Sequence, residues 1–85
     1  MVSYALERFS KKLKQLREER GLSQETLAHM CNIDRTYVGR LESMKRNPTL
    51  EVLYKIAQGL DLKVSDIIDF YSYFIKICED IVLNK

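Results

Sequence analysis

Residues 24–43 read QETLAHMCNIDRTYVGRLES, and the fold follows from this stretch. Its apolar positions predict two short helices joined by a tight turn, Gln24 to Met30 and Asp34 to Glu42. Leu27, Ala28 and Cys31 form the buried face of the first helix. Ile33, Val38 and Leu41 continue that face through the turn and along the second. Ala28 is small, as two steeply crossing helices require where they approach most closely. Asn32 falls where the chain must reverse, and Asn tolerates a left-handed backbone better than any residue except Gly. Asp34 supplies a side-chain oxygen to cap the second helix. What remains exposed on that helix is Arg35, Thr36, Tyr37, Gly39 and Arg40: donors, one aromatic ring and no carboxylate. This is the pattern of a helix-turn-helix whose second helix enters the DNA major groove. The competing reading is an ordinary helical hairpin with a solvated outer face.

The rest of the chain bounds that reading. Eighty-five residues make a single domain, 1–85, near the lower limit for a self-sufficient core. A 46% hydrophobic content is too high for disorder. One Pro, three Gly and no alternating stretch predict an all-α class. The formal net charge is only +2, but it is unevenly placed. Residues 1–46 hold ten Lys/Arg against six Asp/Glu, and residues 47–85 hold four against six. A basic front half suits a protein with one side facing a polyanion, although ordinary surface charge gives a similar excess.

Several function classes are disfavoured. Cys31 and Cys78 lie far apart in apolar patterns and belong to no CxxC pair. They read as small hydrophobes of a reducing cytosol, and no metal site is expected. His29 is the only histidine and has no partner spaced for metal or catalysis. There is no nucleophile–base set and no phosphate-cradling glycine loop, so an enzyme is not expected, nor a cofactor. No signal peptide and no long uncharged apolar run is present; the expectation is a cytoplasmic protein that does not cross a membrane.

Taken in order, residues 3–20 predict the first helix, with Ser3 as its cap. Leu6, Phe9, Leu13 and Leu16 make its apolar stripe, and Gly21 ends it. Arg8, Lys11, Lys12, Lys14 and Arg20 line its other face, which reads mainly as solvated. Ser23 caps the second helix. Gln24 at its first position offers a side-chain donor to a DNA phosphate; the alternative is that it only supports the turn. After the third helix comes Ser43-Met44-Lys45-Arg46-Asn47-Pro48, where Pro48 blocks helix continuation. Lys45 and Asn47 are candidate phosphate contacts, and Arg46 is a candidate for phosphate or groove. A flexible loop of no special role is the alternative. Thr49 caps a fourth helix whose core stripe is Leu50, Leu53, Ile56, Ala57 and Leu60, with Gly59 helping to terminate it.

Ser65 and Asp66 open a last helix expected to run to about Leu83, so that residues 65–84 form a C-terminal element. Its apolar width is unusual. Ile67, Tyr71, Phe74, Cys78 and Ile81 form one seam, with Phe70, Tyr73 and Ile77 in a second beside it. A small core needs one seam, so the other predicts a homodimer interface built on Phe70, Tyr73, Phe74 and Ile77. A single wide core face is the alternative.

Residues 6–68 resemble the lambda repressor/Cro-like, or Xre-like, helix-turn-helix family. The strings that carry the likeness are LREERGLSQETLA, NIDRTYVGRLES and NPTLEVLYKIAQGLDLKVSDI. IDRTYVGRLE followed by KRNPTL, on so short a chain, looks like the controller proteins of restriction–modification systems. The resemblance implies a five-helix all-α domain acting as a symmetric dimer on double-stranded DNA, at a near-palindromic operator. It implies base contacts from Arg35, Thr36 and Arg40, joined in controller-like relatives by Tyr37 and Arg46. It implies phosphate contacts at Gln24 and around Asn47, and a structural ion pair between Arg17 and Glu42. With no second domain, a small-molecule effector is not expected. The rival assignment is an antitoxin-type or phage-type repressor whose last helix binds a different protein. Where many relatives have Gly at the turn, this chain has Asn32.

Overall fold

The structure, a computed structural model, describes residues 4–68. Its helices are α1 (Tyr4–Glu19), α2 (Gln24–Cys31), α3 (Arg35–Glu42), α4 (Leu50–Gly59) and α5 (Val64–Ile67), and no strand occurs among the described residues. The sequence dictates the starts of α2, α3 and α4. Ser23 Oγ accepts from the Thr26 N–H at 3.0 Å, Asp34 Oδ1 from Thr36 N–H at 2.8 Å, and Thr49 Oγ1 from Val52 N–H at 3.1 Å. Each such cap is worth about 1 kcal/mol to a helix too short to stand alone.

The helix ends share one device. Gly21, Asn32, Met44 and Asp61 all adopt a left-handed backbone, with φ of 65°, 55°, 62° and 55°. Around each, two N–H groups turn back to the last helical carbonyls. For α2, Asn32 N–H reaches His29 O at 3.3 Å and Ile33 N–H reaches Ala28 O at 3.0 Å. The same pair closes α1, α3 and α4. This motif favours an apolar residue just after the left-handed one, packed back on the helix. Leu22, Ile33 and Leu62 fill that place and are half-buried against the core. Ile33, expected to be buried, is therefore a half-exposed clasp. After α3 the same place holds Lys45, which is exposed. The loop following the third helix thus carries a cation where the other three turns carry a hydrophobe.

The core is one cluster. Leu6, Phe9, Leu13 and Leu16 of α1 meet Leu27, Ala28 and Cys31 of α2, Val38 and Leu41 of α3, Leu53, Ile56 and Ala57 of α4, and Leu60 just after it. Ile67 of α5 closes it at 1% exposure. Burial pushes the Cys31 thiol up from its ordinary pKa, as suits a packing residue rather than a reactive one.

Gly59 does not terminate α4 as expected from sequence; it lets α4 touch the backbone of α2. A Cβ there would stand 2.6 Å from Cys31 Sγ, 2.9 Å from Cys31 Cα and 2.9 Å from Met30 O. Two of those atoms are backbone and cannot move alone. Gly59→Ala should cost roughly 2 kcal/mol net, overpacking outweighing the better helix propensity of alanine. Urea unfolding should show a lowered midpoint with an unchanged m-value.

Two further expectations are corrected. Leu50 is 80% exposed rather than part of the α4 stripe. It has the right angular register but is the first helical residue, and helical side chains lean toward the N-terminus, so it projects past the end of the packed surface. The last helix among the described residues begins at Val64 and ends at Ile67, because Ile68 is extended at φ −110° and ψ 98°. Asp66 caps it by accepting from Lys63 N–H at 2.9 Å. The helix expected from Ser65 to about Leu83 therefore ends at Ile67 within the described residues, and the rest of that span lies outside them. Ser3, Cys78 and the interface residues Phe70, Tyr73, Phe74 and Ile77 lie outside the described residues. Among the described residues, no helix is long and apolar enough to cross a membrane.

Candidate nucleic-acid interface

α3 is fixed from behind. Val38 and Leu41 are fully buried, and Ser10 of α1, itself buried, donates its hydroxyl to Leu41 O at 2.6 Å. That bond holds the last turn of α3 at a set height above α1. Sequence reasoning passed over Ser10. The available signal was a small polar residue on the buried flank of a stripe otherwise made of Leu6, Phe9 and Leu13.

With its root buried, α3 turns Arg35, Thr36 and Arg40 outward, and all three are exposed. Neither guanidinium makes an ion pair or hydrogen bond with the described residues. Lysines elsewhere on the surface do pair: Lys11 with Glu7 at 2.9 Å and Lys55 with Glu51 at 3.8 Å. Two guanidinium groups without partners on one short helix leave up to ten N–H donors for an external acceptor.

Tyr37 and Arg46 behave differently from that trio. Tyr37 is half-buried, its hydroxyl donating to Asn47 O at 3.4 Å. The Arg46 guanidinium lies over its ring at 4.8 Å from the centroid. This stacking ties the loop after α3 back onto the helix. It leaves the Arg46 donors at the edge of the same face, next to exposed Lys45 and Asn47.

The one carboxylate of α3, Glu42, is turned away from this face. Its Oε2 accepts from Arg17 Nε at 2.7 Å, and its Oε1 from Arg17 Nη2 at 3.0 Å. Arg17 Nη1 donates onward to Leu22 O at 2.8 Å. The side chains of Arg17 and Glu42 are only 14% and 5% exposed. Hydrogen bonding to Glu42 holds the Arg17 pKa above its ordinary value. The ion pair expected from the resemblance is thus formed, and it neutralises the one negative charge of α3.

Gln24 is placed partly against expectation. Its Nε2 donates to Glu42 Oε1 at 3.2 Å and the residue is half-buried, so one of its two amide hydrogens is engaged inside the protein. The link joins the start of α2 to the end of α3 through the ion pair. No cluster of three or more metal-ligating side chains occurs among the described residues.

Residues 13–67 match the family model HTH_3, described as helix-turn-helix. The chain is 46% identical over 61 residues to the control protein C.MunI of a Mycoplasma species, covering 71% of this chain and 82% of that one. The crystal structure of the restriction–modification controller protein C.AhdI from Aeromonas hydrophila superposes with a TM-score of 0.71 at 41% identity. It covers 74% of this chain and 96% of that one. The controller C.Esp1396I, solved as a tetramer in complex with its natural 35 base-pair operator, superposes with a TM-score of 0.71 at 36% identity, over 87% and 93% of the two chains. With an inward-facing acid and outward-facing arginines on its third helix, the chain belongs to the lambda repressor/Cro-like (Xre-like) helix-turn-helix family of DNA-binding transcriptional regulators, and within it is similar to restriction–modification controller proteins.

Proposed function

We propose that this protein is the controller of a restriction–modification system, a cytoplasmic homodimer that binds a near-palindromic operator and sets transcription of its own gene and the endonuclease gene. The observation that carries this is the α3 surface. It offers Arg35 and Arg40 without internal partners, while Glu42 is neutralised behind them. Arginine in that setting donates two bonds to guanine O6 and N7. Thr36 and Tyr37 add hydroxyls and apolar atoms that suit a thymine methyl. Gln24, Lys45, Arg46 and Asn47 contact phosphates and fix register. The two reading helices of the dimer lie about one DNA turn, roughly 34 Å, apart. Phe70, Tyr73, Phe74 and Ile77 join the protomers.

Selection from a random duplex pool followed by footprinting tests the reading. A two-fold symmetric site with half-sites one turn apart is the expected result, and equal affinity for every sequence rejects a specific regulator. Tyr73→Glu should give monomers in ultracentrifugation, and an unchanged dimer rejects the interface. Methyltransferase and endonuclease genes alongside this one support the controller assignment, and a toxin gene in their place opposes it.

A further inference from the structure

Of the four left-handed helix ends, the one after α3 is the least favoured by residue type. Gly21, Asn32 and Asp61 are residues that accept a positive φ; Met44, at φ 62°, is not. It is also the end without an apolar clasp. Lys45 stands exposed where Leu22, Ile33 and Leu62 pack on the core. A turn with both disadvantages needs another hold.

That hold comes from α1. At each end the N–H of the left-handed residue turns back to one carbonyl: Glu18 O, His29 O, Leu41 O and Gln58 O. Among the described residues, only Leu41 O also accepts from a side chain. The Ser10 hydroxyl donates to it at 2.6 Å, beside the Met44 N–H at 3.3 Å. A carbonyl oxygen has two lone pairs, so the two bonds do not compete. Ser10 is only 2% exposed, so water does not weaken its bond. By fixing the Leu41 carbonyl, it fixes the direction that the Met44 N–H must take. Further along, the loop is caught again at Tyr37, by the Arg46 stack at 4.8 Å and the bond to Asn47 O at 3.4 Å. Those contacts lie at the surface, whereas Ser10 supplies a buried donor at the root of the loop.

We propose that Ser10 is the positioning residue of the loop 44–47. It replaces the missing clasp, holds Met44 left-handed, and so presents Lys45, Arg46 and Asn47 beside the exposed face of α3. For its effect on binding, the inference rests on the reading of that loop as a phosphate contact. Ser10 itself, buried beneath α3, acts through the loop and not on the nucleic acid.

Ser10→Ala removes one hydroxyl and favours the α1 helix. Met44→Gly supplies the residue that a left-handed position prefers. The two single variants and the double variant are compared without DNA by the heteronuclear NOE of the Lys45, Arg46 and Asn47 amides, which reports fast backbone motion. Ser10→Ala should lose NOE intensity at those three amides and keep it at Leu27 and Val38. Met44→Gly alone should keep wild-type values, and the double variant should regain most of the loss. On an unselected duplex between 50 and 200 mM salt, Ser10→Ala should lower the slope of log K against log salt by about 0.9 for each phosphate contact that the loop gives up, and the double variant should restore it. Unchanged NOE values in Ser10→Ala overturn the proposal. So does a loss that Met44→Gly leaves unrepaired, because a hydroxyl that only packs α1 against α3 is indifferent to the turn at Met44. A wild-type slope alongside a lost and repaired NOE leaves the brace standing and removes the loop's phosphate contacts from the regulator reading instead.

Discussion

Replacing Arg40 with alanine should weaken binding to the selected operator by about 1–3 kcal/mol, roughly 5- to 150-fold, and abolish the preference at one base pair per half-site. The fold should be untouched. Arg40 is exposed, its guanidinium has no partner among the described residues, and it sits on a helix held from behind by Val38, Leu41 and the Ser10 bond to Leu41 O. Surface changes of that kind alter stability by less than about 0.5 kcal/mol. Arg35→Ala should have a similar cost at a different base pair. The two residues are five apart, so they project about 140° from one another and lie about 1.4 turns, roughly 7.5 Å, apart along the axis. They cannot read the same edge. Their losses should add, giving about 2–6 kcal/mol in the double variant. Anisotropy titrations against the operator and each single-base variant separate the two positions. If both variants lose affinity equally on every sequence, and only the salt slope changes, the arginines are phosphate contacts and the base-reading role is lost.

A feature of this fold is legible in the sequence when its cause is local. Caps are local, so Ser23, Asp34 and Thr49 were legible as soon as a serine, aspartate or threonine preceded an apolar run. Asn32 was legible because few residues accept a left-handed backbone. Met44 and Asp61 adopt the same backbone without advertising it, and only the repeated pair of turned-back N–H groups shows that all four helix ends are alike. The misreadings share a non-local cause. Leu50 has helical register with the core, but register says nothing about where a packed neighbour stops. Gly59 looked like a terminator because its real constraint, the backbone of Met30 and Cys31, lies some thirty residues away. Ser10 meets a carbonyl 31 positions along the chain. In the site, the exposure of Arg35, Thr36 and Arg40 followed from periodicity alone. The stacking of Arg46 on Tyr37 and the tether from Gln24 to Glu42 did not, because both arise from how a loop and a second helix fold back on the third.

Glu42→Ala should lower stability by about 3–5 kcal/mol in urea unfolding. Removing the carboxylate strands the Arg17 guanidinium at 14% side-chain exposure, with Leu22 O as its one remaining acceptor. A domain of this size is stable by only about 4–13 kcal/mol, so the variant should be largely unfolded well below the wild-type midpoint. The pair itself contributes less than its removal suggests, because both ions lost most of their hydration to form it. Arg17→Met with Glu42→Leu should therefore recover most of the loss, as apolar replacements of buried pairs do. Recovery of DNA affinity should not follow. The double variant still lacks the Glu42 oxygen that holds the Gln24 amide, so the start of α2 loses its tie to the end of α3 even when the core is intact. A refolded protein with weakened binding would mark the ion pair as a positioning device as well as a structural one. A Glu42→Ala loss below about 1 kcal/mol would mean that solvent screens the pair, as it does at exposed sites, and that α3 is held by Ser10, Val38 and Leu41 alone.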